Sequence, residues 1–183
     1  MTNGFIGFSA RNIITENVEE SAITKNEDGF VFYNNDNKSL LISYEGDLEE
    51  ITLPDTHEYE IYGFAFLGCK KLTAVTIGDN VKRIGILAFY KCENLSSVII
   101  GNGVETISYS AFKNCTSLKT LALGTGLKNI YRGAFDICDG IESILFTGPF
   151  SQFKNIAIAE EGNDIFTTAK ITYNAKLEPP VEE

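Results

Sequence analysis

Four cysteines recur at a constant interval of 23 residues in this chain. They are Cys69, Cys92, Cys115 and Cys138, and each lies three residues after the phenylalanine of an Ala-Phe pair. A fixed period of this size is typical of a solenoid, in which each repeat is one supersecondary unit stacked on the next. A single unit cannot bury its apolar residues alone, so the stacked units must share one continuous core. The period therefore predicts the fold and favours a structural role for the cysteines.

Each repeat also carries apolar residues at fixed distances from its cysteine. In the repeat of Cys92 these residues are Leu95, Val98 and Ile100, and a glycine-containing turn follows at 101–103. The alternation up to Ile100 predicts a strand with one buried face, whereas glycine and asparagine tolerate the positive φ of a sharp turn. The stretch around each Ala-Phe pair predicts a short helical or 3₁₀ turn on the opposite side of the coil. The recurring phenylalanines are predicted to lie in the core, and they are Phe66, Phe89, Phe112 and Phe135.

This repeat resembles the BspA-like, or treponemal-type, class of leucine-rich repeats. The unit of that class reads Ile-x-x-x-Ala-Phe-x-x-Cys-x-x-Leu-x-x-Val-x-Ile, and residues 84–100 and 107–123 follow it throughout. Residues 61–77 and 130–146 match almost as well, and 48–53 have the spacing of a variant first strand. The resemblance implies a leucine-rich repeat solenoid, a right-handed β/α or β/3₁₀ coil of about five repeats with parallel strands on one face. It also implies an N-terminal β-hairpin and a C-terminal cap.

The chain is predicted to form one domain, with flanking segments around the repeats. Residues 1–27 are polar and weakly patterned, and 18–23 fit either a short helix or a strand. Residues 28–47 resemble the hairpin that precedes such repeats, with a polar turn at 34–37. The remaining divisions are the repeats at 48–146, the C-terminal cap at 147–176, and a tail or linker at 177–183.

The cysteines allow two interpretations. Four cysteines in an exported protein are consistent with disulfides, and neighbouring coils approach the ~7 Å between Cα atoms that a disulfide needs. The pairs Cys69–Cys92 and Cys115–Cys138 therefore stay open. The spacing favours a ladder of free, buried thiols, because every cysteine occupies the same position in its coil. A zinc site is disfavoured, since thiolate ligands must converge on one point rather than form a row.

Composition and motifs argue against several classes of function. The net charge of −10 disfavours nucleic acids and anionic membranes as partners, because both need a basic surface. No apolar run approaches the ~20 residues of a membrane span. The single histidine, His57, is expected to be a satisfied or exposed turn residue rather than a general base. The sequence therefore predicts no enzyme, no metal and no cofactor.

The outward side chains of the repeat strands are the candidate binding residues, since repeat proteins usually bind through such a surface. We name this set the strand face. It is small, mostly neutral and rich in hydroxyl groups, and it lacks the aromatic and arginine anchors typical of hot spots. Its predicted residues are Glu49, Glu50, Thr52, Thr73, Ala74, Thr76, Ser96, Ser97, Ile99, Lys119, Thr120, Ala122, Glu142, Ser143 and Leu145.

The function predicted from these observations is a non-catalytic module that mediates protein–protein interaction or adhesion through the strand face. The resemblance implies a cell-surface or secreted protein. The start of the chain lacks the basic and apolar regions of a signal peptide, and a cytoplasmic location stays open. Two alternatives are a glycan-binding accessory module of a larger exported protein and an architectural spacer. The oligomeric state is also open, because an exposed terminal strand can pair with another edge.

Overall fold

The computed structural model describes residues 22–176. Within these residues, fourteen β-strands and two one-turn helices form a solenoid of stacked coils. The strands belong to two sheets, one of six strands and one of eight. The predicted solenoid with parallel strands is therefore confirmed. The predictions for residues 1–21 and for the tail at 177–183 lie outside the described residues.

The six-stranded sheet contains the strands predicted from the repeat. In order along the chain they are β4 (Glu50–Thr52), β6 (Ala74–Ile77), β8 (Ser97–Ile100), β10 (Thr120–Leu123), β12 (Ser143–Phe146) and β14 (Lys170–Thr172). Each pairs in parallel with the next. Apolar side chains alternate along the strands, so that Val98 and Ile100 are buried in β8 while Ile99 is only half-buried. The sheet thus has one face in the core and one face towards solvent.

The eight-stranded sheet was not predicted from the sequence. Its strands, in sheet order, are β1 (Ile23–Lys25), β2 (Phe30–Asn35), β3 (Lys38–Tyr44), β5 (Tyr59–Ile61), β7 (Val81–Ile84), β9 (Thr106–Ile107), β11 (Asn129–Ile130) and β13 (Ala157–Ile158). From β3 onwards the pairing is parallel. Three of these strands have only two residues, which is too short for an alternating pattern to be recognised.

The first three strands form an antiparallel unit that extends this sheet. Strands β2 and β3 are the predicted hairpin, and β1 pairs with β2 on the far side. The side-chain Oδ1 of Asn35 accepts hydrogen bonds from the backbone N–H groups of Asn37 and Lys38, at 3.0 and 2.8 Å. Asparagine closes tight turns in this way. The antiparallel unit therefore begins at Ile23, five residues before the boundary predicted at residue 28.

The Ala-Phe stretches fold as successive hydrogen-bonded turns rather than as regular helices. In the second repeat, Tyr90 N–H donates to the Leu87 carbonyl and Cys92 N–H to the Phe89 carbonyl, both at 3.2 Å. Two residues in each coil adopt a left-handed backbone, here Leu87 with φ of 57° and Lys91 with φ of 59°. The equivalent residues of the other repeats have φ between 54° and 68°, and they are Phe64, Gly68, Ser110, Asn114, Gly133 and Ile137.

A ladder of aromatic rings runs through the core along the solenoid axis. The rings of Phe66, Phe89, Phe112 and Phe135 stack at centroid distances of 4.5, 4.9 and 5.2 Å, with interplanar angles of 4–7°. Tyr44 stacks on Phe66 at one end, and Phe166 meets Phe135 edge-on at the other. All four phenylalanines are at most 2% exposed, which confirms their predicted place in the core.

Coils continue beyond residue 146, in the segment predicted as the C-terminal cap. This segment contains helix α1 (Phe150–Phe153), strand β13, helix α2 (Ile165–Thr168) and strand β14. Strand β13 extends the eight-stranded sheet and β14 extends the six-stranded sheet. Phe153, Ile156 and Ile165 are buried in the main core. The segment therefore closes the solenoid by adding a last, irregular coil.

The four cysteines are free thiols in one row. Cys92, Cys115 and Cys138 are buried, and each Sγ donates to the carbonyl of the phenylalanine 26 positions earlier, at 3.1–3.3 Å. Contact with a neighbouring thiol raises the pKa of Cys92 and of Cys115, and burial raises it further. Cys69 is only partly buried, and contact with the Cys92 thiol lowers its pKa more than burial raises it. Cys69 is therefore the most accessible of the four thiols, and it is more acidic than the thiols of Cys92 and Cys115.

Candidate binding surface

Parallel pairing arranges those residues of the strand face that lie within the strands into two rows of side chains. The strands are in register, so that Ile99 on β8 lies beside Thr76 on β6 and Ala122 on β10. One row is Glu50, Ala74, Ser97, Thr120, Ser143 and Lys170, and the other is Thr52, Thr76, Ile99, Ala122, Leu145 and Thr172. The structure therefore brings the predicted strand residues together on one continuous surface.

The exposure of the strand face differs from the expectation at one position. Ala122 is only 1% exposed, although its side chain belongs to the outward row. Its register partners are Ile99 and Leu145, and both carry larger side chains that project further from the sheet than a methyl group. Ala122 therefore forms the floor of a shallow depression between two half-buried aliphatic residues, and its own side chain is covered.

Two residues of the strand face were missed by the sequence analysis. Lys170 and Thr172 lie on β14, in register with Ser143 and Leu145 on β12. They lie 27 residues after their partners instead of 23, and no Ala-Phe pair or cysteine precedes them at the repeat spacing. The alternation in Lys170-Ile171-Thr172 is the signal that would have identified them as a strand.

The residues just before these strands form a third row of the strand face. Along the solenoid this row contains Glu49, Thr73, Ser96, Lys119 and Glu142. The backbone N–H groups of Thr73, Ser96 and Lys119 each donate to the backbone carbonyl of the row residue one coil earlier. The hydroxyl groups of Thr73 and Ser96 also donate to these carbonyls, both at 3.0 Å. Backbone and side-chain bonds together hold this row at one edge of the strand face.

The charged side chains of the strand face make no ion pair within residues 22–176. These side chains are Glu49, Glu50, Lys119, Glu142 and Lys170. The ion pairs of the described residues lie elsewhere, for example in the eight-stranded sheet, where Arg83 and Lys38 contact Glu60 at 2.6 and 3.2 Å. Burial raises the pKa of the Glu60 carboxyl, but hydrogen bonds from Arg83 and Lys38 more than offset it and leave the pKa lowered. Glu60 is therefore paired within the eight-stranded sheet, while the strand face keeps charges available to a partner.

His57 is an exposed residue held by hydrogen bonds on both ring nitrogens. Nε2 lies 2.7 Å from Ser39 Oγ, and Nδ1 lies 2.8 Å from Thr56 Oγ1. The Ser39 hydroxyl donates to Asn34 Oδ1 at 2.6 Å, so Ser39 Oγ accepts the hydrogen bond from His57 Nε2–H. In that arrangement Nε2 carries a hydrogen and does not serve as a base for Ser39. The geometry agrees with the predicted satisfied turn histidine.

Residues 22–176 contain no group of three or more His, Cys, Asp or Glu side chains placed to hold a metal ion. None of the helices in this part of the chain has the length and apolar character needed to cross a bilayer.

Several solved structures share this fold. A leucine-rich repeat protein of T. pallidum has 24% identity and a TM-score of 0.61, over 67% of this chain and 60% of that one. A leucine-rich cell surface protein of Faecalibacterium prausnitzii has 22% identity and a TM-score of 0.63, over 74% and 42%. A leucine-rich repeat protein of Bacteroides capillosus has 22% identity and a TM-score of 0.61, over 68% and 98%. At these identities the likeness shows the fold alone, and the chain spans less than two thirds of the first two proteins.

The family of the chain follows from its repeats. No curated protein matches the chain. A family model described as the BspA type leucine-rich repeat region matches residues 38–163 in six copies, which agrees with the repeat unit read from the sequence and with about five predicted repeats. Because this match covers more than half of its residues, the chain belongs to the BspA-type leucine-rich repeat family.

Proposed function

We propose that this chain is a non-catalytic, cell-surface or secreted module that binds a protein of a host or a neighbouring cell through the strand face. The observation that carries the proposal is the in-register surface of six strands, whose charges make no ion pair within residues 22–176. A flat array of hydroxyl, aliphatic and charged groups has donors and acceptors for a protein surface but no deep pocket for a small molecule.

The size of the strand face limits the affinity of a single module. Six strands at a spacing of ~4.8 Å span ~24 Å, and four residues at a rise of ~3.3 Å span ~13 Å. The face therefore covers roughly 300 Å² in projection, below the ~800 Å² per partner of a standard interface. A partner must therefore also contact residues outside the strand face, or bind several modules at once. We expect weak binding per module and a gain from multivalency.

The proposal is tested by the binding of labelled protein to cultured epithelial cells, measured by flow cytometry before and after the cells are treated with trypsin or with periodate. Trypsin removes surface proteins, and periodate oxidises glycans. We expect trypsin to abolish binding and periodate to leave it largely intact. The double variant Ile99→Glu/Thr120→Glu places two carboxylates on the strand face, and we expect it to weaken binding by about tenfold, or ~1.4 kcal/mol.

The matched control is Thr106→Glu, on strand β9 of the eight-stranded sheet. Thr106 is half-buried like Ile99, so it tests the effect of an added carboxylate outside the strand face. Circular dichroism of all variants shows whether the fold is retained. The proposal is wrong if the double variant binds as the wild type does, or if trypsin leaves binding unchanged.

A further inference from the structure

A cavity of about 420 Å³ lies against the turns that precede Cys115 and Cys138. We name it the turn cavity. Its walls include Tyr109, Lys113, Arg132, Asp136 and Glu161, and Gly133 lies among them. None of these residues belongs to the strand face. The volume lies within the range of about 300–1,000 Å³ that is usual for small-molecule pockets.

The cavity exists because two turns lack a bulky side chain. Each of the four Ala-Phe turns has an equivalent position five residues before its cysteine. In chain order this position holds Phe64, Leu87, Ser110 and Gly133. All four have a left-handed backbone, with φ of 65°, 57°, 54° and 68°. The backbone is thus the same, and only the side chain becomes smaller. A Cβ atom on Gly133 would lie 3.3 Å from Ser110 Oγ. The two small residues are therefore neighbours in the wall of the turn cavity.

The charges around the turn cavity balance. Lys113 Nζ lies 2.6 Å from an Asp136 carboxylate oxygen, and Arg132 Nε lies 3.1 Å from a Glu161 carboxylate oxygen. Two cations therefore face two carboxylates. A ligand with a net charge would meet a repelling group as well as an attracting one. A neutral ligand whose hydroxyl groups both donate and accept would find partners of both kinds.

An aromatic surface borders the cavity. The side chain of Tyr109 is 49% exposed, and its ring lies 4.8 Å from that of Tyr131, which is 38% exposed. Contiguous exposed apolar groups of this kind mark binding sites in monomeric proteins. The C–H groups on one side of a sugar ring form a flat apolar surface that fits a tyrosine face.

We propose that the turn cavity binds a neutral saccharide. The sugar ring lies against Tyr109, while its hydroxyl groups donate to Asp136 and Glu161 and accept from Lys113 and Arg132. The remaining space holds a mono- or disaccharide. This site is separate from the strand face, so the module has a second, weak ligand that is independent of its protein partner.

The test uses saturation-transfer NMR and isothermal titration calorimetry with the methyl glycosides of glucose, galactose, mannose and N-acetylglucosamine. At least one glycoside is expected to bind with a millimolar Kd. Tyr109→Ala removes the aromatic surface, and Ser110→Leu fills the cavity with the side chain that Leu87 carries one coil earlier on the same backbone. Each variant is expected to weaken binding by about tenfold or more. Ile86→Ala, an exposed position outside the cavity, serves as the control and is expected to bind as the wild type does.

Three results would overturn the proposal. They are the absence of binding by all four glycosides, binding by Ser110→Leu equal to that of the wild type, and tighter binding of N-acetylneuraminic acid than of any neutral sugar. Thermal melts establish that each variant is folded. The double variant Ile99→Glu/Thr120→Glu is expected to bind glycosides normally, so that failure of the saccharide site and failure of the strand face are distinguished.

Discussion

Asn163 accepts a hydrogen bond of 3.2 Å, through its side-chain Oδ1, from the backbone N–H of Phe135. In the preceding coil the equivalent N–H, that of Phe112, donates to the Ala134 carbonyl of the next coil at 2.7 Å. Phe135 belongs to the last coil with an Ala-Phe pair, and the side chain of Asn163 takes the place of the missing carbonyl. The buried amide of Asn163 therefore terminates the row of hydrogen bonds made by the phenylalanine N–H groups, whereas Gly133 N–H still donates to the Glu161 carbonyl at 2.8 Å.

Replacement of Asn163 by alanine is predicted to lower the free energy of unfolding by about 1–3 kcal/mol, because it leaves a buried N–H without an acceptor. Asn163 is 3% exposed, and its Nδ2 also donates to the carbonyls of Tyr131 and Ala159. Urea denaturation followed by circular dichroism measures the change. Asn155→Ala is the control, since the side chain of exposed Asn155 donates to the nearby Ser151 carbonyl. Equal losses in the two variants would contradict the capping role.

Removal of a ring from the aromatic ladder is predicted to be more costly. Phe112→Ala should lower the free energy of unfolding by about 3–5 kcal/mol, because Phe112 is fully buried between two stacked rings and its loss leaves a cavity. Phe150, which is 59% exposed, provides the matched control. Thermal and urea unfolding of the two alanine variants check this. A Phe112→Ala change no larger than that of Phe150→Ala would exclude a core position for the ring.

Replacement of Ile137 is predicted to stabilise the protein. Ile137 has φ of 58° and is 43% exposed, and a left-handed backbone costs a β-branched residue about 1–2 kcal/mol. The same position holds Gly68 in the first turn and Asn114 in the third. Ile137→Asn should therefore raise the free energy of unfolding by about 1 kcal/mol. The reciprocal change, Gly68→Ile, should lower it, and a loss of stability in Ile137→Asn would contradict this account.

Acid is predicted to lower the free energy of unfolding, in part through protonation of Glu60. Burial raises the pKa of its carboxyl, and hydrogen bonds from Arg83 and Lys38 offset this, so the folded pKa lies below the unfolded value of about 4.3. The unfolded state then binds more protons, and the stabilisation is present above the unfolded pKa and is lost as the pH falls through the folded pKa. Because the side chain is 25% exposed, we expect about 1 kcal/mol or less.

Urea unfolding of Glu60→Gln between pH 7 and pH 3 measures this contribution. The variant should be less stable than the wild type at neutral pH, and the difference should shrink in acid. Glu93→Gln, at an exposed turn position, is the control for loss of a carboxylate. A stability difference that stays constant over this pH range would rule out the ion pairs of Glu60 as its source.

The strand face could be predicted from the sequence because the repeat period determines which side chains are equivalent. Once Val98 and Ile100 are assigned to the core, Ile99 must point outwards and must lie beside the residues 23 positions away. The regular 23-residue spacing ends after β12. Lys170 and Thr172 lie 27 positions after their partners on β12, so the last strand of the face was found only in three dimensions.

The second sheet and the turn cavity were beyond the sequence argument for different reasons. Strands such as β9 and β11 have two residues, and their pairing depends on the stacking of the coils rather than on local alternation. The turn cavity depends on small side chains at one position of the repeat, which holds Ser110 in one turn and Gly133 in the next. This dependence becomes apparent only when the shared left-handed backbone is known. Ile84, Ile107 and Ile130 of the second sheet do recur at the 23-residue period, but the period alone does not show that they lie in paired strands.

The register of the coils is the central claim, because it places both the strand face and the turn cavity. Thiol labelling of the native protein, resolved by peptide mass spectrometry, tests it most directly. We predict that partly exposed Cys69 reacts in the folded protein, whereas Cys92, Cys115 and Cys138 react only in denaturant. Reaction of Cys115 in the folded protein at the rate of Cys69 would contradict the register. Thiols that react only after reduction would instead show disulfides and contradict the free ladder.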